Sequence, residues 1–146
     1  MTHKAAYSIL VELLKKQGWS VRHVEIATKD CGVFYVDEKT IVIRRSLGWR
    51  DRLATIAHEI GHLEQTRVKK WRRFIHFRGK LKNTPKNRLY VEAAEIDASK
   101  RGLQQLRKIG ITGVKFEELN PRDLPMLREI WYKEYLEPVK RGKRSV

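Results

Sequence analysis

The stretch His58-Glu59-Ile60-Gly61-His62 matches the pattern H-E-x-x-H, and the rest of the chain is interpreted around it. On a helix, residues four positions apart lie on the same face, so His58 and His62 can bind one Zn²⁺ ion together. Glu59 then lies beside the metal and can accept a proton from a water molecule activated there. The pentapeptide therefore predicts a zinc site with Glu59 as the general base.

The residues around the motif indicate an amphipathic helix. Four apolar residues recur there at helical spacing: Leu53, Ile56, Ile60 and Leu63. Both histidines lie off this stripe, so we expect them to face a cleft; the alternative is a helix whose histidines are ordinary surface residues. Asp51 suits the first turn, and the helix is predicted to end near Thr66 or to continue into the segment that follows.

Length and composition fit a single globular domain. The chain has 146 residues, of which 41% are hydrophobic and 34% charged. No apolar run is long enough to span a bilayer and no signal-peptide pattern opens the chain, so we expect no membrane partner. The only cysteine, Cys31, permits no internal disulfide, which agrees with a cytoplasmic location. We interpret Cys31 as a small residue near the start of a strand.

The net charge of +15 is concentrated in two segments. Residues 67–88 contain ten basic residues and no acidic ones, and the tail adds Lys140, Arg141, Lys143 and Arg144. The remaining 18 basic and 17 acidic residues nearly cancel. Such clusters predict an acidic partner, and nucleic acid is the candidate for both segments. A solvated basic surface without a partner is the alternative.

Aromatic residues are interleaved with the basic ones in 67–88. They are Trp71, Phe74 and Phe77, with His76 among them. Stacking rings beside basic groups suit a nucleic-acid surface. We prefer the other interpretation for the rings, in which a basic helix turns Val68, Trp71 and Ile75 toward the core.

The remaining pattern predicts an α+β fold. After an N-terminal helix that ends near Lys16, residues 21–27 form a strand, and residues 32–36 and 40–44 form a hairpin. Asn83-Thr84-Pro85 predicts a loop, and helices follow over about 87–108 and 124–135. We expect a short antiparallel sheet packed on the motif helix and on a following ligand-bearing helix. One domain would cover residues 1–138, with a basic, disordered tail over 139–146.

A zinc site with two histidines requires a third protein ligand, and the later helix offers candidates. Glu92, Glu95 and Ser99 lie at positions i, i+3 and i+7, so they share one face. Asp97 points away from that face, where it can pair with Arg101.

Here the chain resembles zincin metallopeptidases of the gluzincin type. In several such families the second helix carries E-x-[ED]-A-[DNS], whose first glutamate binds zinc, and Glu95-Ile96-Asp97-Ala98-Ser99 fits that pattern. The stretch 52–62, after a short strand pair, is similar to the ImmA/IrrE family, and 95–101 is similar to YugP-type peptidases. The resemblance implies a single zincin-like domain in which Glu95 is the third ligand. Glu92, on the same face of the helix, is a fallback candidate.

A rival third ligand is His76, fourteen residues after His62 and close to Gly79. This arrangement resembles the SprT-like proteases, which use a third histidine and act on proteins crosslinked to DNA. The zinc ribbon that often follows in that group has no counterpart, because Cys31 is the only cysteine. We favour Glu95.

These features predict a zinc-dependent metallopeptidase. His58, His62 and Glu95 would hold Zn²⁺, and Glu59 would move the proton from water to the leaving amine. The resemblance to ImmA/IrrE suggests a protein substrate associated with nucleic acid. The alternatives are a nucleic-acid-binding module with a structural or vestigial zinc site, or a SprT-like protease.

Overall fold

The computed structural model describes residues 1–26, 31–119 and 124–138, which contain three strands and six α-helices. The helices are α1 (His3–Lys16), α2 (Trp49–Gln65), α3 (Arg72–His76), α4 (Pro85–Lys108), α5 (Phe116–Leu119) and α6 (Leu124–Tyr135). The strands are β1 (Ser20–Val24), β2 (Gly32–Tyr35) and β3 (Thr40–Arg44). A single 3-10 turn spans Lys69–Trp71. The tail predicted over 139–146 lies outside the described residues, and none of the described helices has the length and apolarity to cross a membrane.

The sheet is mixed, whereas the sequence predicted an antiparallel one. β2 and β3 form the predicted antiparallel hairpin, but β1 lies on the other side of β3 and runs parallel to it, which gives the order β1-β3-β2. Alternation of apolar and polar residues is the same for either direction of pairing, so the pattern could not reveal the parallel partner. The predicted α+β class is confirmed, and only the direction of β1 is corrected.

Helix α2 lies between the sheet and helix α4. On the sheet side, β3 alternates so that Ile41 and Ile43 are completely buried, and Phe34 of β2 lies opposite Ile41. The apolar stripe predicted for α2, from Leu53 to Leu63, is buried as well. The histidine-bearing side of α2 is covered by α4, so the interpretation of the histidines as surface residues is wrong.

Helix α4 begins two residues earlier than predicted. Thr84 caps it, because its hydroxyl accepts a hydrogen bond from the Asn87 amide, and Pro85 occupies the first turn. Proline is favoured there because it lacks the N–H that a first-turn residue leaves unpaired. Asn83 and Thr84 lie in the predicted loop, and Pro85 is the first residue of the helix, which places Glu95 in the middle of a 24-residue element.

Two glycines allow α2 and α4 to pack backbone against backbone. A Cβ atom added to Gly61 would lie 1.9 Å from the Ala98 carbonyl oxygen, and one added to Gly102 would lie 2.3 Å from that of Ala57. Side chains at these positions would force the helices apart. The close approach places the histidines of α2 next to Glu95 of α4.

We expect Gly61→Ala to destabilise the protein by roughly 1–3 kcal/mol or more, because the new methyl group overlaps the backbone of Ala98. Thermal unfolding measured by circular dichroism checks this. Gly113→Ala is the matched control, since no atom lies within 4 Å of a Cβ placed there. Equal melting temperatures for Gly61→Ala and wild type would contradict the proposed close packing.

The basic segment contains the 3-10 turn and α3, which the sequence did not predict as separate elements. Trp71 and Ile75 are buried, as the preferred interpretation of the aromatic residues expected, and Phe74 is buried with them. Phe77 remains 49% exposed.

Candidate metal centre

Helices α2 and α4 bring His58, His62 and Glu95 together. The Nε2 atom of His58 lies 2.8 Å from Glu95 Oε2, and that of His62 lies 3.4 Å from Glu95 Oε1. Tetrahedral zinc bound to nitrogen and oxygen at about 2.0–2.1 Å would separate its ligand atoms by about 3.3 Å. The spacing and chemistry of these three side chains therefore fit a metal ion of that size.

Ser99 orients the first histidine. Its hydroxyl donates to the Leu119 carbonyl oxygen at 3.1 Å and lies 2.8 Å from His58 Nδ1. Because the hydroxyl hydrogen is donated to Leu119, the serine oxygen accepts a hydrogen bond from His58 Nδ1. His58 Nε2, on the side of the ring that faces Glu95, is then the nitrogen available to a metal ion.

Gln65 orients the second histidine in the same way. Its side-chain nitrogen donates to the Ala94 carbonyl at 2.7 Å and to Asp97 at 3.0 Å, so its Oε1 faces His62 Nδ1 at 2.8 Å and accepts from it. Asp97 also pairs with Arg101 at 2.7 Å, which confirms that predicted pair. A chain of hydrogen bonds thus fixes the His62 ring at Nδ1, the nitrogen that does not face Glu95.

We expect Gln65→Met to weaken zinc binding by about 10- to 100-fold, because His62 loses its acceptor while the buried volume is kept. Gln65→Glu keeps an acceptor oxygen and should bind zinc more tightly than Gln65→Met. Competition with a chromophoric chelator measures both affinities. Gln104→Met, on the exposed side of α4, is the control. Wild-type affinity in Gln65→Met would show that His62 does not depend on this contact.

The charges of His62 and Glu95 influence each other's pKa values. Burial alone would lower the pKa of His62, but the carboxylates of Glu95 and Glu59 outweigh it and raise that pKa to about 9. Burial opposes ionisation of Glu95, yet His62 and His58 hold its pKa well below the usual range. Without a metal, a proton therefore resides on His62 beside the Glu95 carboxylate. A metal ion bound here replaces that proton.

Glu59 is buried beside the triad, with 6% of its surface exposed. Burial raises the pKa of its carboxyl group, against the lowering effect of His62 and His58. A carboxylate with a raised pKa is a better proton acceptor near neutral pH. Gly32 of β2 lies next to Glu59 and leaves room for the Thr55 side chain, since a Cβ there would lie 2.6 Å from Thr55.

Tyr135 of α6 completes the surroundings of Glu95. Its ring lies against Phe74, with centroids 4.2 Å apart, and its side chain is buried near Glu95. Burial and the negative charge of Glu95 raise the pKa of Tyr135 well above its usual value, so the hydroxyl stays protonated. Tyr135 thus places a neutral hydroxyl group in the surroundings of the Glu95 carboxylate.

The triad and Glu59 line a cavity of about 160 Å³. Its lining also includes the edge strand β2, from Gly32 to Phe34, and Leu119 of α5 with Ile130 and Trp131 of α6. The His58 side chain is 14% exposed, against 3% for His62, so the group opens on the His58 side. The structure thus places the motif histidines at a cleft, as predicted, with His62 buried at its base.

The two rival ligands lie elsewhere. His76 is exposed at the end of α3 and does not belong to the group of potential ligands found among the described residues. Glu92 pairs with Arg128 at 2.7 Å and accepts from the Tyr132 hydroxyl. Glu95 is therefore the third side chain that the fold brings to the histidines.

Reasoning from the sequence did not identify Gln65, Gly32 and Tyr135 as site residues, and it assigned no role to Ser99. Gln65 could have been found, because it follows His62 by three residues on the same helix. No local pattern pointed to Gly32 or Tyr135, since they reach the site from distant parts of the chain.

The chain was compared with known proteins. No family model, no curated protein and no solved structure matches it. What is shown is a buried group of two histidines and a glutamate, on two closely packed helices, that could hold a metal ion.

Proposed function

We propose that the protein is a zinc-dependent metallopeptidase of the zincin type that its motifs resemble. The observation that supports this most directly is the triad His58, His62 and Glu95, which lines the same cleft as Glu59. Two imidazoles and one carboxylate form the ligand set of a catalytic zinc site with an open position. The zinc is expected from this chemistry and from the resemblance to gluzincins.

Each residue has a task in the proposed reaction. Zinc would supply a water of lowered pKa and polarise the scissile carbonyl group. Glu59 accepts the proton of the attacking water and delivers it to the leaving amine nitrogen. Ser99 and Gln65 keep the two histidine rings in the orientation that exposes Nε2.

The edge strand β2, which lines the cleft, is suited to bind an extended peptide substrate. Arg44 donates its amide hydrogen to the Cys31 carbonyl, so in the alternating antiparallel pattern the peptide groups of Gly32 and Phe34 point away from β3. β2 is an edge strand, and its outward side borders the cleft. The Phe34 carbonyl already accepts a hydrogen bond from Arg78 at 2.7 Å, so an extended peptide would pair with the Gly32 end of this edge and pass its scissile bond over the zinc site.

Two alternatives have less support. Structural zinc sites are closed by four protein ligands, whereas three potential ligands are grouped in the described part of this chain and they adjoin a cleft. The SprT-like hypothesis depends on His76, which lies outside that group.

The deciding experiment measures bound zinc and peptide hydrolysis on the same preparation, with an unfolded protein such as casein as substrate. We expect a chelator to abolish hydrolysis and added zinc to restore it. A preparation that binds no zinc and for which His58→Ala changes nothing would refute the proposal.

A further inference from the structure

The ten basic residues of 67–88 form what we call the basic surface. They are Arg67, Lys69, Lys70, Arg72, Arg73, Arg78, Lys80, Lys82, Lys86 and Arg88. Arg67 lies between α2 and the 3-10 turn, and the others lie on the 3-10 turn, on α3, on the connection to α4 and on the first turn of α4. Eight of them are exposed, and Arg78 and Arg88 are half-buried.

This surface lacks charge compensation. Of its ten cations, Arg78 alone is paired with an acidic side chain, Glu134, in the part of the chain that the structure describes. Arg67, Arg73 and Arg88 contact the neutral side chains of a glutamine and two asparagines. Elsewhere in the described chain, four arginines pair with carboxylates: Arg44, Arg50, Arg101 and Arg128. The surface therefore carries a concentrated positive potential that attracts a polyanion.

The basic segment also contacts residues that line the cleft. Phe74, on the inner side of α3, lies against the His62 ring with centroids 5.4 Å apart. Arg78 donates to the Phe34 carbonyl oxygen of β2 at 2.7 Å. A polyanion on the outer face of α3 would thus lie one helix away from the zinc site.

The pattern of side chains favours nucleic acid among polyanions. Lysines and arginines spread over three consecutive elements suit a chain of regularly spaced phosphates. Phe77 is 49% exposed among them and offers a ring for stacking against a base. Phe77 and the neighbouring Leu89 are the large apolar side chains exposed in this described region, which is little apolar area for insertion into a membrane.

We propose that the basic surface binds nucleic acid through its phosphates, and that the peptidase substrates are proteins carried on the same nucleic acid. The second part rests on the proposed function, whereas the first is independent of zinc and of catalysis. Because binding releases counterions, affinity should fall steeply with salt.

The test uses fluorescence anisotropy of a labelled DNA duplex and a single-stranded RNA, at about 50 and about 200 mM salt. The variant carries Lys69→Gln, Arg72→Gln, Lys82→Gln and Lys86→Gln, four exposed positions away from the zinc ligands. For DNA we expect the negative slope of log affinity against log salt to become shallower by about 3 to 4. Affinity at low salt should decrease at least about tenfold.

A matched control removes the same charge elsewhere, through Lys16→Gln, Lys100→Gln, Arg107→Gln and Lys108→Gln, all at exposed positions. A third variant replaces the four basic residues of the tail with glutamine. We expect both to keep more affinity than the variant in the basic surface. Equal loss in the matched control, loss confined to the tail variant, or binding to anionic vesicles but not to nucleic acid would each overturn the proposal.

Bound zinc is measured in all these variants and should not change. If the protein binds nucleic acid but holds no zinc, the proposed binding surface is supported and the proposed peptidase function is refuted. If it hydrolyses peptides with zinc but does not bind nucleic acid, the peptidase function is supported and the binding surface is refuted.

Discussion

Replacing Glu59 with glutamine is expected to lower peptide hydrolysis by about 10²- to 10⁴-fold while the zinc content stays unchanged. Glu59 lines the cleft beside the triad but is not part of it, so its loss removes a proton acceptor and leaves the ligands in place. Glutamine keeps the volume of the side chain, which limits disturbance of the buried surroundings. Rates at substrate saturation, with bound zinc measured on the same samples, give the result.

The control for this change is Glu64→Gln, on the same helix but outside the cleft. It makes the same chemical substitution and should leave hydrolysis nearly unchanged. Full activity of Glu59→Gln would remove the proposed hydrolytic mechanism. Loss of zinc from Glu59→Gln would instead indicate that this carboxylate is a ligand.

Replacing Glu95 with alanine is expected to weaken zinc binding by more than the roughly 10- to 100-fold that the loss of a supporting hydrogen bond costs. Glu95 contacts both histidines and is 3% exposed, so no other carboxylate among the described residues is placed to take its role. Chelator competition measures the affinity. Glu95→Gln keeps the buried volume and provides a second test if the alanine variant folds poorly.

Two controls separate the candidate third ligands. His76→Ala removes the SprT-like candidate, and Glu92→Ala removes the fallback carboxylate one turn earlier on α4. Both should bind zinc like the wild type, because neither side chain belongs to the triad. Loss of zinc from His76→Ala, with retention in Glu95→Ala, would reverse the assignment.

Local patterns in the sequence were enough to predict the helix that carries the motif and the hairpin. The spacing of His58 and His62 places them on one helical face whatever the rest of the chain does, because helix geometry is local. The hairpin β2–β3 and helices α4 and α6 likewise follow from short-range periodicity. The choice of Glu95 came from a motif resemblance, and the fold brings that residue to the histidines.

Only the tertiary structure decided what surrounds those ligands. His58 and Glu95 are 37 positions apart, and they meet because Gly61 and Gly102 allow two helix backbones to touch. The approach of Tyr135 and the parallel pairing of β1 also depend on long-range packing. Such contacts are selected by the shape and volume of the whole core, which no local period in the sequence records.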